Sequence, residues 1–131
     1  MITVILTVKP KYARLIYAGT KPYELRKDYP QWVRTHPGAF RVLICESGTG
    51  GEITGEFTCP GVVGLNKRII LPFLQKNEGR LGVTTEQAPD YADGKPLYAW
   101  CIEAPKLYTE DKVITVQDYG LRRAPQSWCY V

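Results

Sequence analysis

Between Gly19 and Arg26 the chain reads Gly-Thr-Lys-Pro-Tyr-Glu-Leu-Arg, and this stretch restricts the fold more than any other. Upstream, Pro10 suits the first turn of a helix, and Tyr12, Leu15 and Ile16 recur at helical spacing. Gly19 then stands where a left-handed residue closes such a helix. Downstream, Tyr23 to Lys27 reads as a second strand. Alternation puts Glu24 and Arg26 on one face and Tyr23 and Leu25 on the other. Lys21, Glu24 and Arg26 thus crowd three ionisable groups of both signs into six positions.

The stretch has a strand on its amino-terminal side too. Residues 2 to 8 alternate, with Ile2, Val4, Leu6 and Val8 on one face and Thr3, Ile5 and Thr7 on the other. Beyond it, residues 28 to 38 hold Pro30, Pro37 and Gly38 and read as a loop anchored by Trp32, with His36 as a loop residue. Phe40 to Glu46 is a third strand, Ser47 to Gly51 a flexible turn, and Glu52 to Val63 a fourth strand interrupted near Cys59-Pro60-Gly61. A helix is expected over residues 69 to 78, and a turn with a short helix between Thr84 and Gly94. Pro96 to Pro105 and Lys106 to Val116 supply further strands.

Strands that outnumber helices, with weak βαβ alternation, predict an α+β, mostly β chain: one domain over residues 1–131, a small β-barrel with short helices at its edges. A chain of 131 residues buries a core without metal or disulfide staples. No Cys-x-x-Cys pair exists among Cys45, Cys59, Cys101 and Cys129, and His36 is the lone histidine, so no metal or other cofactor is expected. The cysteines read as small core residues of a reducing compartment. No apolar run reaches the ~20 residues of a membrane helix, and the alternating amino terminus lacks a signal peptide's basic region. The expectation is a cytoplasmic protein without a membrane partner.

Charge is uneven along the chain. Residues 9–41 hold eight lysines and arginines against Glu24 and Asp28, net +6, whereas the remainder holds nine against eleven, net −2. A basic front half suits an anionic partner such as nucleic acid, and equally a solvated basic surface.

In type and spacing, Gly19, Lys21, Glu24 and Arg26 match the signature of the ASCH family, a branch of the PUA-like β-barrel proteins. The chain resembles that family along nearly its whole length: an opening strand ending Val8-Lys9-Pro10, the Gly55-Glu56-Phe57 strand, and the closing Pro125-Gln126-Ser127-Trp128. The resemblance implies a PUA-like barrel whose cleft is lined by the signature residues and binds RNA, a nucleotide or a modified nucleoside. Lys21, Glu24 and Arg26 are then ligand-binding residues, joined by Tyr23, by Ser47 of the glycine-rich turn and by Gln126 and Ser127 of the tail. In that setting Arg26, paired with Glu24, offers a flat guanidinium to a phosphate or base edge, and Lys21 a mobile charge. Tyr17, Tyr23, Trp32 or Trp128 can stack on an unpaired base. The plainer reading is a salt-bridge network closing the barrel mouth, with the tryptophans as packing.

An enzyme is the competing class. Some ASCH proteins are amidohydrolases acting on acylated cytidine with a threonine, a lysine and a glutamate. Here Lys21 matches the lysine, but Glu24 holds the threonine's place, and a carboxylate forms such an acyl-enzyme less readily. Catalysis through Lys21 and Glu24 would then have Glu24 as a general base on water, oriented by Arg26. Ribonuclease activity, also associated with the family, would use Lys21 or Arg26 to stabilise phosphorane charge.

Overall fold

The computed structural model describes residues 1–66, 68–77, 80, 95–109 and 111–131. Nine strands are found among them: β1 (Thr3–Val8), β2 (Tyr23–Arg26), β3 (Phe40–Glu46), β4 (Glu52–Cys59), β5 (Val62–Leu65), β6 (Leu97–Cys101), β7 (Glu103–Leu107), β8 (Ile114–Thr115) and β9 (Trp128–Tyr130). They are joined by helices α1 (Pro10–Tyr17) and α2 (Ile70–Lys76) and by two 3₁₀ turns, Gln31–Arg34 and Val116–Tyr119. The expected turn and helix between Thr84 and Gly94 lie outside the described residues.

The strands form two sheets. One has six strands in the order β7-β4-β3-β1-β9, with β8 beside β4, and its β1–β3 pair is parallel. The other is antiparallel, in the order β2-β6-β5. The mostly-β fold expected from the sequence is found, but neither sheet closes into a barrel among the described residues, so the barrel is met only in part. The physical reason is that two long segments each change sheet midway. Residues 52–65 leave the six-stranded sheet at Pro60-Gly61, since proline has no N–H to continue a ladder. Residues 97–107 change sheet at Ile102, and Ala104 takes φ 49, a left-handed value unusual for a residue with a Cβ. Among the described residues each crossing leaves a strand with one partner, β5 in the small sheet and β7 in the large one.

The alternation in β1 sorts its residues between two cores, as its sequence requires. Val4, Leu6 and Val8 are buried with Ala13 and Ile16 of α1 and with Phe40, Phe57 and Trp100 between the sheets. Ile5, on the other face, joins Leu43, Cys45, Ile53 and Val116. A third cluster puts Leu25, Leu65, Leu97 and Ala99 of the small sheet under Ile70 and Leu74 of α2. The small sheet is therefore sandwiched, its even-numbered β2 and β6 residues facing the large sheet and its odd-numbered ones facing α2.

Candidate functional site

Helix α1 ends as the sequence predicts. Gly19 has φ 77, its N–H donates to the carbonyl of Ile16 (3.0 Å), and that of Thr20 donates to Leu15 (3.1 Å). This doubled closure fixes the direction in which the chain leaves the helix. It delivers Lys21 inward, where only 2% of its surface is exposed. The Lys21 ammonium donates to the carbonyl of Tyr23 (2.9 Å), sits 5.6 Å from the centre of the Tyr12 ring and lies 3.5 Å from Glu24 Oε2. Burial lowers its pKa below the ordinary lysine value, and the Glu24 charge opposes that shift. A held, buried ammonium is not the mobile charge expected from a loop position.

Glu24 and Arg26 share a face of β2, as alternation demands. Arg26 Nε donates to Glu24 Oε1 (3.3 Å), its Nη1 to Ser127 Oγ (3.2 Å) and its Nη2 to the Thr7 carbonyl (2.6 Å). Thr7 in turn donates its hydroxyl to the Pro125 carbonyl (2.7 Å) and its N–H to that of Ser127 (2.8 Å). The guanidinium thus ties the small sheet to β1 and to the carboxyl-terminal tail. Glu24 is 5% exposed, and its Oε2 accepts no hydrogen bond among the described residues although Lys21 is close by.

The remaining expected residues divide. Ser127 belongs to the array through Arg26. Ser47 is half-buried, its N–H bonded to the Val8 carbonyl (2.9 Å) one residue beyond Thr7. Gln126 is exposed on the tail. Tyr23 lies on the opposite face of β2, where its ring packs edge-on against Phe73 of α2 with 5.0 Å between centroids. It therefore reaches the array only through its carbonyl. Trp128 packs between Trp100 and Tyr130 and donates to Asp28 Oδ1 (2.7 Å); Trp100 donates to the Asp28 carbonyl (3.0 Å). Asp28, Tyr29 and Val33, rather than Trp32, tie the loop down. Trp32 is stacked on His36 at 4.0 Å near the surface. Tyr17 is engaged with Thr54 through its hydroxyl (2.6 Å).

Sequence reasoning missed a hollow of about 330 Å³ on the same face of the small sheet as Glu24 and Arg26. Its walls include Tyr29, Val33, Phe40, Val62, Gly64 and Tyr98, with Arg34 at the surface. The β2-β6-β5 ladder sets the spacing: Arg26 is opposite Tyr98, and Tyr98 is opposite Gly64. The Tyr98 ring leans towards Gly64, 3.7 Å from where a Cβ there would be, and its centroid is 4.8 Å from that of Tyr29. The signal was faint because three wall residues are glycines and the two tyrosines, Tyr29 and Tyr98, are far apart in sequence.

The described residues include no group of histidine, cysteine and carboxylate side chains that could hold a metal ion. All four cysteines are free thiols, and burial raises the pKa of each, that of Cys59 to about 12. No helix among the described residues is long and apolar enough to cross a membrane.

Two partial sheets joined by a buried Lys–Glu–Arg array, with a short capped helix feeding the array, define a small mostly-β domain of the ASCH fold. The crystal structure of ASCH from Zymomonas mobilis superposes with a TM-score of 0.74 at 18% identity, covering 98% of this chain and 87% of that one. A tyrosine-to-phenylalanine variant of the same protein gives 0.75 at 17% identity, covering 100% and 91%. The hypothetical protein PH0355 is more distant, at 0.54 and 19% identity, over 81% of this chain and 100% of that one. By sequence, neither a family model nor a curated protein matches the chain.

Proposed function

We propose that this protein is an RNA- or nucleotide-binding domain. The carrying observation is the β2–β6 ladder, which sets the buried Lys21–Glu24–Arg26 array beside a hollow walled by tyrosines on one sheet face. Tyrosine faces suit unstacked bases, and the front half's excess of lysine and arginine suits phosphates. The array's part is to hold the two sheets in register around that hollow, and Arg34 at its rim offers a cation to the backbone of a ligand. A titration with a short single-stranded RNA at about 50 and about 200 mM salt tests the reading. Affinity should fall as salt rises, and Arg34→Ala should weaken binding and flatten the salt slope. Absence of binding at the lower salt refutes it.

A hydrolase reading draws on one specific observation. Burial lowers the pKa of Lys21, and Glu24 beside it has an oxygen that accepts no hydrogen bond among the described residues. A lysine and a carboxylate in contact, with burial weakening the ammonium's hold on its proton, suit proton transfer. Incubation with acylated cytidine and with RNA separates the readings: turnover that Glu24→Gln abolishes favours the enzyme, and unchanged substrate with retained binding favours the binder.

A further inference from the structure

We infer that the hollow between Tyr29, Tyr98 and β5 takes a single unstacked nucleobase whose polar edge is read by the main chain of Val62 and Gly64. The inference deepens the nucleic-acid reading above and rests on it.

The ladder supplies the first step. Residues 61 and 101 are opposite one another in the β5–β6 register, and Cys101 N–H donates to the Gly61 carbonyl at 3.0 Å. In an antiparallel pair, hydrogen-bonded and non-bonded positions alternate. Val63 opposite Ala99 and Leu65 opposite Leu97 are then the bonded pairs. Val62 and Gly64 are the non-bonded ones, with both main-chain groups turned away from β6. The β2 side agrees: Ile102 N–H donates to the Pro22 carbonyl, which commits Tyr98 and Trp100 to β2. Among the described residues β5 is the edge of its sheet, so the N–H and C=O of Val62 and Gly64 point away from β6.

Those two residues are also the β5 positions that line the hollow, whereas Val63 and Leu65 do not. A peptide N–H and C=O on one residue offer a donor beside an acceptor. Every nucleobase carries the complement, a donor next to an acceptor on its pairing edge. Gly64 has no side chain to obstruct the approach, and the rings of Tyr29 and Tyr98 give the base a face to lie on. A volume of about 330 Å³ suits a base and not a folded partner. An extended peptide is the weaker occupant, because only two outward-facing residues follow Pro60, too few for a stable added strand.

The test uses the full chain and Gly64→Val. A Cβ at Gly64 meets Tyr98 at an ordinary 3.7 Å, so the strand accepts the substitution while the branched side chain fills the hollow. Short RNA and an abasic ribose-phosphate strand of equal length are titrated against both proteins, with the melting temperature as a check on folding. Amide shifts of Val62 and Gly64 are followed with nucleoside monophosphates. The expected result is at least a tenfold loss of affinity for RNA in Gly64→Val, no change for the abasic strand, and shifts at both amides in the wild type. Equal binding of RNA by the two proteins, without amide shifts, overturns the base pocket and leaves the nucleic-acid reading standing. If neither strand binds the wild type, both fall. Amide shifts that depend on protein concentration alone show a self-pairing edge strand and also overturn the base pocket.

Discussion

Glu24→Gln is the most direct probe of the array. It keeps the side-chain shape and removes the one negative charge between Lys21 and Arg26. The two charge separations are 3.5 and 3.3 Å. At an effective dielectric of about 20, each corresponds to about 5 kcal/mol of gross attraction, most of it offset by desolvation. Removing one member of a buried pair typically costs about 3–5 kcal/mol because the other charge stays buried. Arg26 keeps its bonds to Thr7 and Ser127, which argues for the lower end. With an unfolding entropy of about 2.1 cal/mol/K per residue, a loss of ~3 kcal/mol over 131 residues lowers Tm by roughly 10 °C.

The variant should also show a larger pH dependence, of known sign. Glu24 holds the Lys21 pKa up against burial, so its neutralisation lets that pKa fall further below 10.5. The unfolded chain then binds the proton more tightly than the folded one. Stability should therefore rise with pH between the depressed pKa and 10.5, and be lowest below it. Thermal unfolding followed by circular dichroism, at pH 6 to 10, reads both effects. Adding Lys21→Met to Glu24→Gln should recover at least half of the loss, since it removes the stranded ammonium. A Tm decrease under about 3 °C for Glu24→Gln, or no recovery in the double variant, would refute the reasoning.

Three other outcomes follow from packing and charge elsewhere. Gly55→Ala should lower stability by about 2–3 kcal/mol in thermal unfolding, because a Cβ there overlaps the Lys106 carbonyl oxygen and comes within 2.6 Å of the Tyr17 ring. Glu56 accepts two hydrogen bonds from Arg41, both 2.8 Å, and one from Tyr108, and its pKa is held below 4.5. That stability is present above 4.5 and lost as pH falls through the folded pKa, so Glu56→Gln should flatten the acid limb of the stability profile. The Arg41 side chain is 38% exposed, which limits the loss at pH 7 to about 1 kcal/mol. Alkylation at pH 8 should label Cys101 and Cys129 before Cys45 and Cys59. Cys59, with its pKa raised from 9.0 to about 12, should react about a thousandfold more slowly than in urea.

Local periodicity made much of this fold readable. The two faces of β1, the end of α1 at Gly19 and the shared side of Glu24 and Arg26 each depend on residues within a few positions of one another, and each is found as the sequence predicts. The changes of sheet were not readable, because pattern shows that a residue is extended without showing which ladder it joins. Residues 52–63 read as one interrupted strand and proved to be β4 and the start of β5, in different sheets. The short β9 was also missed; Trp128-Cys129-Tyr130 has the aromatic content of a strand, but three residues give no period to detect.

The same contrast explains why the Lys21–Glu24–Arg26 motif and the proposed ligand surface need not coincide. A motif read from side-chain type marks the charged groups, and in this fold those groups are drawn into the seam. Arg26 has three acceptors there, one on β1, one on the tail and one on its own strand. Lys21 is more deeply buried than many of the chain's leucines. Groups held so tightly serve to lock two sheets together, and binding energy drawn from them would come at the expense of that lock. The hollow beyond Tyr98 is built differently, from glycines, tyrosine rings and a strand edge that is unpaired among the described residues. The polar groups proposed to read a base there belong to the backbone, which every sequence shares, so no residue pattern announces them. The array is legible and inward; the β5 edge proposed to read a base is outward and becomes visible only once the ladder's pairing is known.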